Sequence, residues 1–286
     1  TGYRTTGYYV YQLFLLPLEG DGIFVTSKLE HSNVRGLAQT PRGLWVSMTD
    51  DPVEVTVRAA REVGAEGAKV AVVGRTPEKG DAVVKRITDA GGEAMFVKAE
   101  CADEGEVKAG VKTILDTWGR ADILVNTAGG FIDAPPLEEI TLEAMHHSYD
   151  WNVIAKFLIT RELVPTMKAN NYGRIVNISS VAGRPARGGA IEYATTEAAI
   201  VGMTRRLATE LAPNGITVNA IAPGLVMTPR VERHPPEVLE ARGKATPVGR
   251  LGTAEELAHA IWYLCTPGAA FTTGAVLDVN GGAWMG

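Results

Sequence analysis

Gly173-Arg-Ile-Val-Asn-Ile-Ser-Ser180 is followed, thirteen residues after its last serine, by Tyr193, and Tyr193-Ala-Thr-Thr-Glu197 spans one further helical turn. The apolar run Ile175–Ile178 is continuous rather than alternating, the pattern of a parallel strand covered on both faces. The stretch 191–212 that carries Tyr193 and Glu197 is amphipathic and reads as a helix. A buried strand running toward a helix is the unit from which the rest of the chain can be read.

The same unit recurs on both sides. Continuous apolar runs lie at Leu44–Met48, Val70–Val73, Ile123–Val125, Ile216–Ile221 and Ala275–Val279. Amphipathic stretches lie near 53–66, 78–90, 103–118, 141–169 and 253–265. Strands spaced by helices predict βαβ units, hence an α/β fold with a Rossmann-like, doubly wound parallel sheet in a three-layer α/β/α sandwich. Ligands of such a sheet bind outside the carboxyl ends of the strands, near the switch in strand order. This domain is expected to occupy 44–286.

Residues 1–43 do not follow the pattern. Tyr3, Tyr8, Tyr9 and Tyr11 crowd the start, and Glu19-Gly20-Asp21-Gly22 reads as a turn between Tyr8–Leu16 and Ile23–Leu29. We read a β-hairpin-like extension, with an unanchored segment or one foreign to the domain as the alternatives.

Composition narrows the function classes. The 286 residues are 45% hydrophobic and 21% charged with a net charge of −5, and no Lys/Arg stripe offers a nucleic-acid footprint. Cys101 and Cys265 lack metal-ligand spacing and read as buried thiols, so no metal site is expected. Adjacent His146 and His147 face different directions and do not converge on a metal. The run from Tyr8 to Leu18 is too short to span a bilayer and lacks a basic leader, so a cytoplasmic protein with no membrane partner is expected.

From Lys69 to the C-terminus the chain resembles the short-chain dehydrogenase/reductase family. Asp122-Ile-Leu-Val-Asn126-Thr-Ala128-Gly129-Gly130 resembles the motif that shapes its cofactor cleft, and Trp151-Asn152-Val153 resembles the helix asparagine that holds a water for proton relay. Ser180 and Tyr193 match its catalytic serine and tyrosine, Asn219-Ala-Ile-Ala-Pro223-Gly224 with Thr228 its nicotinamide-contacting segment, and Val279-Asn-Gly-Gly282 its last strand and turn. The resemblance implies a tyrosine that exchanges a proton with a substrate oxygen, a serine that hydrogen-bonds the same oxygen, a nicotinamide cofactor and a small-molecule substrate. Arg75 after the second strand resembles the arginine that accepts the 2′-phosphate of NADP, and Glu100 stands where an adenine-contacting carboxylate is usual. Arg184, Arg187 and Glu192 stand where the family lines its substrate pocket, and 225–245, with Arg230, Arg233 and His234, resembles its variable substrate loop. The helices at 141–169 and 191–212 resemble those that pair in family homodimers and homotetramers.

Two departures stand out. Glu197 holds the place of the catalytic lysine, and a carboxylate about 5 Å from the phenol contributes roughly 3 kcal/mol against its ionisation at an effective dielectric near 20. Thr49 aligns with the threonine that opens the family's glycine-rich turn, but the glycine positions hold Asp50, Glu54 and Thr56, and 44–63 contains no glycine. Asp50 or Asp51 followed by Pro52 reads as a capped helix start. Three readings therefore stand at this point: an NADP-dependent carbonyl/alcohol oxidoreductase with weakened cofactor use, a non-redox enzyme using Ser180 and Tyr193, and a catalytically silent binding or oligomer partner.

Overall fold

The second strand shows why the apolar runs are continuous. Ala71 and Val73 pack into one hydrophobic core and Val70 and Val72 into another, so every residue of the run is buried from one side or the other. The structure is a computed structural model that describes residues 44–48 (as backbone), 68–130, 134–185, 189–228 and 231–286. Seven parallel strands are formed: β1 Leu44–Met48, β2 Lys69–Gly74, β3 Glu93–Lys98, β4 Ile123–Asn126, β5 Gly173–Ile178, β6 Ile216–Pro223 and β7 Val276–Val279. Their order is β3-β2-β1-β4-β5-β6-β7, which puts the switch point between β1 and β4.

The helices are α1 Pro77–Asp89, α2 Glu104–Trp118, α3 Leu142–Tyr149, α4 Ala155–Ala169, α5 Ile191–Leu211, α6 Pro236–Ala245 and α7 Ala254–Cys265. One core gathers Val107, Val111 and Ile114 of α2, Leu158, Ile159 and Leu163 of α4, and Ala208 and Leu211 of α5. The other gathers Val83 and Ile87 of α1 with Leu257, Ala258 and Ile261 of α7. The expected three-layer sandwich is thus formed. Local chemistry fixes the helix ends: the Asp103 carboxylate accepts from Glu106 N–H at the start of α2, Gly119 closes it at φ 79°, and Thr253 and Glu256 form a reciprocal capping box on α7.

Three features differ from the sequence reading. β3, Glu93-Ala-Met-Phe-Val-Lys98, was not among the expected strands although Ala94–Val97 is a continuous apolar run; it is an edge strand in which only Val97 is buried. The single helix expected at 141–169 is interrupted by a π-helical turn, Asp150–Ile154. Within 225–245, Pro236 opens a helix, α6. The 1–43 extension, the helix expected at 53–66, Thr49, Arg187 and Arg230 lie outside the described residues. Cys101 and Cys265 are buried, and among the described residues no helix is long and apolar enough to cross a membrane.

Candidate active site

Ser180 follows β5 and caps a short 3-10 turn, Val181–Gly183, its Oγ accepting from Ala182 N–H at 3.1 Å. That bond uses a lone pair and leaves the hydroxyl hydrogen for another acceptor. Tyr193 sits half-buried on the first turn of α5, and Glu197 lies one turn on along the same face. Glu197 is only 3% exposed. Two contacts draw it inward. The Ser179 hydroxyl donates to its carbonyl at 3.0 Å, and Gly183 packs so closely that a Cβ there would fall 2.7 Å from the Glu197 carbonyl carbon and the Ala198 nitrogen.

Burial dominates the chemistry of Glu197. Removal from water pushes its carboxyl up from the usual 4.5 to about 7, against the pull of the Lys156 charge and of hydrogen bonds with the Ser179 and Tyr193 hydroxyls. Near neutral pH this group is therefore poised between acid and carboxylate. Its Oε2 has no hydrogen-bond partner among the described residues.

Lys156 is the residue that sequence reasoning missed. It lies on the first turn of α4, is 1% exposed, and its ammonium donates to the carbonyls of Ala128 and, at 3.0 Å, of Asn152. Its signal was visible: Ser148, Asn152, Lys156 and Thr160 recur every four residues and are all buried, a polar stripe facing the sheet in otherwise apolar surroundings. Gly129 makes room for it. At φ 136° this glycine leaves open a position where a Cβ would meet Asn152 Oδ1 at 2.4 Å and Lys156 Nζ at 3.2 Å.

Asn152 sits within the π turn and braces the loop after β4. Its Oδ1 accepts from Gly130 N–H at 2.7 Å, while its Nδ2 donates to Gly130 O, Ser148 O and Ser148 Oγ. Asn126 is fully buried and ties strands together, donating to Asn177 Oδ1 at 2.8 Å and Thr160 Oγ1 at 3.2 Å, and Asn177 continues the chain to Thr204 Oγ1 at 2.9 Å. These asparagines shape the site from below.

At the other end of the crevice, Arg75 and Glu100 meet at 3.2 Å, with side chains 49% and 38% exposed. Pro223 ends β6, Gly224 N–H donates to Val279 O at 3.0 Å, and Thr228 Oγ1 accepts from Val231 N–H at 3.3 Å. A cavity of about 220 Å³ adjoins this segment, lined by Gly224–Val226, Arg250, Glu256 and Asp278 among others, but by none of Ser180, Tyr193 or Glu197. Arg184 pairs with Asp278 of β7 at 3.0 Å and stacks on Trp284 at 4.2 Å. Glu192 is buried, while His146, His147, Arg233 and His234 are exposed.

The profile of the family described as enoyl-(acyl carrier protein) reductase matches residues 55–283, most of the chain. The chain belongs to the short-chain dehydrogenase/reductase family. It is 39% identical to a 3-oxoacyl-[acyl-carrier-protein] reductase of Synechocystis sp. over 79% of this chain and 91% of that one. The structure of a 3-oxoacyl-[acyl-carrier protein] reductase from Brucella melitensis superposes with a TM-score of 0.81 at 30% identity, covering 93% of this chain and 99% of that one. An actinorhodin polyketide ketoreductase solved with NADPH superposes with a TM-score of 0.79 at 30% identity, covering 84% and 97%. The chain is accordingly an SDR-type oxidoreductase, similar to reductases of 3-oxoacyl groups.

Proposed function

We propose that this enzyme interconverts a carbonyl and an alcohol with NADP(H), and that its grip on the cofactor is weaker than the family's norm. The observation that carries the reading is that Ser180 follows β5 directly while Tyr193, on the first turn of α5, lies one turn before a buried Glu197 whose carboxyl it hydrogen-bonds. Ser180 holds the substrate oxygen through its remaining hydroxyl hydrogen. Tyr193 gives or takes the proton at that oxygen.

The described residues fit a phosphorylated dinucleotide. Arg75 stands at the carboxyl end of β2, next but one to the switch point, and its exposed pairing with Glu100 is of the kind worth only about 0–1 kcal/mol, so an incoming phosphate can displace it. Arg75 would hold the 2′-phosphate, Glu100 would face the adenine, and Pro223, Gly224 and Thr228 would flank the nicotinamide. When bound, the nicotinamide supplies or takes up the hydride. The carboxylates Asp50, Asp51 and Glu54, in the segment that would face the pyrophosphate, oppose its charge, and this supports weakened binding.

The relatives named 3-oxoacyl reductases make a 3-oxoacyl thioester the first substrate to try. Leu142, Tyr149, Phe157 and Ile191 are exposed on α3, α4 and α5, which supports assembly as a homodimer or homotetramer through these helices. Calorimetric titration with NADPH and NADH tests the cofactor reading. Binding of NADPH in the micromolar to millimolar range, tighter than NADH, is expected, and no binding of either at millimolar concentration refutes it. In that event the buried carboxyl in place of the lysine favours the second reading, a non-redox enzyme that polarises a hydroxyl or carbonyl with Ser180 and Tyr193.

A further inference from the structure

Lys156 and Glu197 are buried ionisable groups carried by different helices, α4 and α5. Lys156 reaches in from α4, fixed to the carbonyls of Ala128 and Asn152. Glu197 reaches in from α5, fixed through its backbone to Ser179 and packed against Gly183. Both are withdrawn from water, at 1% and 3% exposure. A buried charge without compensation is costly enough that such groups are paired or neutralised, so two whose charges act on one another must be considered together. Tyr193 completes the group, one helical turn before Glu197 and hydrogen-bonded to its carboxyl.

We propose that Lys156 supplies from α4 the positive charge that the family places at position 197, and that the Lys156–Glu197 couple serves as the proton partner of Tyr193. This deepens the reading of Ser180 and Tyr193 given above and rests on it. When Tyr193 passes its proton to the substrate oxygen, the phenolate recovers a proton from the Glu197 carboxyl, and the carboxylate so formed lies within the field of the Lys156 ammonium. One O–H bond breaks and one forms at each transfer, and the proton is regained from solvent through Tyr193 once product leaves. In the alcohol-oxidising direction the same steps run backward. The charged and titratable groups acting on Glu197 are Lys156 from α4 and Tyr193 from α5, with the Ser179 hydroxyl at the end of β5. Lys156 is a positioning residue in this scheme, because it acts on the reacting oxygen through Glu197 and Tyr193.

The charge arrangement can be transposed. Glu197→Lys alone puts two ammonium groups in one buried space, whereas Lys156→Met combined with Glu197→Lys restores a single cation in the family's position. Thermal unfolding of the cofactor-free protein should find the double variant more stable than Glu197→Lys alone. Equal stability of the two would contradict the coupling.

A purely structural Lys156 would not alter tyrosine ionisation, which is read separately. The absorbance titration of each protein minus that of its Tyr193→Phe counterpart isolates the Tyr193 phenol. Lys156→Met should move its midpoint up and Glu197→Gln should move it down, each by about one unit. If Lys156→Met fails to fold, the Glu197→Gln arm decides alone, and an unmoved midpoint there rejects the proposal. Neither readout uses the nicotinamide, so loss of the cofactor reading and loss of this one are told apart.

Discussion

Two sets of oppositely charged groups differ in their access to water, and burial makes them different devices. Arg75 and Glu100 meet at 3.2 Å in the open, with half and more than a third of their side chains exposed. Water screens such a pair to about 0–1 kcal/mol. Lys156 and Glu197 are almost wholly buried, and Glu197 responds by holding its proton up to about pH 7. An exposed pair can be opened by a ligand, whereas a buried pair can be discharged by a proton. The first suits recognition and the second suits proton transfer.

The comparison is broken most severely at the buried groups. Lys156→Met removes a buried cation whose charge acts on Glu197 and should destabilise the protein by about 3–5 kcal/mol at pH 8, with a smaller loss at pH 5 where Glu197 is neutral. Denaturant unfolding at the two pH values checks it, and an equal loss at both would show that the carbonyl contacts alone matter. Glu197→Gln tests the same couple by linkage. Because the folded carboxyl titrates near 7 and the unfolded one near 4.5, the native state binds the extra proton between these values, and wild-type stability must fall as pH rises through that window. The decline should total about 3 kcal/mol and be absent in Glu197→Gln. Parallel stability–pH curves would remove the carboxyl from the account.

Smaller effects sharpen the contrast. Gly183→Ala should cost about 1–3 kcal/mol, since its methyl group would press on the backbone of Glu197 and Ala198, and unfolding midpoints report it. A tolerated alanine would mean that Glu197 is not held where the packing puts it. Arg75→Ala should change stability by less than about 1 kcal/mol yet weaken NADPH binding roughly tenfold while sparing NADH, as calorimetry can show. Equal weakening of both cofactors would mean that Arg75 does not read the 2′-phosphate.

Most of the sheet was legible because its central strands are covered on both faces, and double burial demands unbroken apolar runs such as Val70–Val73 and Ile175–Ile178. β3 was passed over although Ala94–Val97 is also unbroken; as an edge strand it buries only Val97. Ser180, Tyr193 and Glu197 were singled out from their spacing, and the structure puts Ser180 directly after β5 and Tyr193 one turn before Glu197 on α5. Lys156 was overlooked because a lone lysine in a helix is usually solvated; only its four-residue register with Ser148, Asn152 and Thr160 marks it as internal. Glu197 was weighed in the sequence as a carboxylate in the lysine's place, opposing ionisation of Tyr193. Its burial, which no single residue of the sequence announces, raises the pH at which that carboxyl gives up its proton.

The account is tested most directly by a carbon-13 NMR titration of the Glu197 side-chain carboxyl in the cofactor-free protein, assigned through Glu197→Gln. It predicts a midpoint near 7 that moves higher in Lys156→Met. A midpoint at the ordinary 4.5, unmoved when Lys156 is replaced, would contradict it.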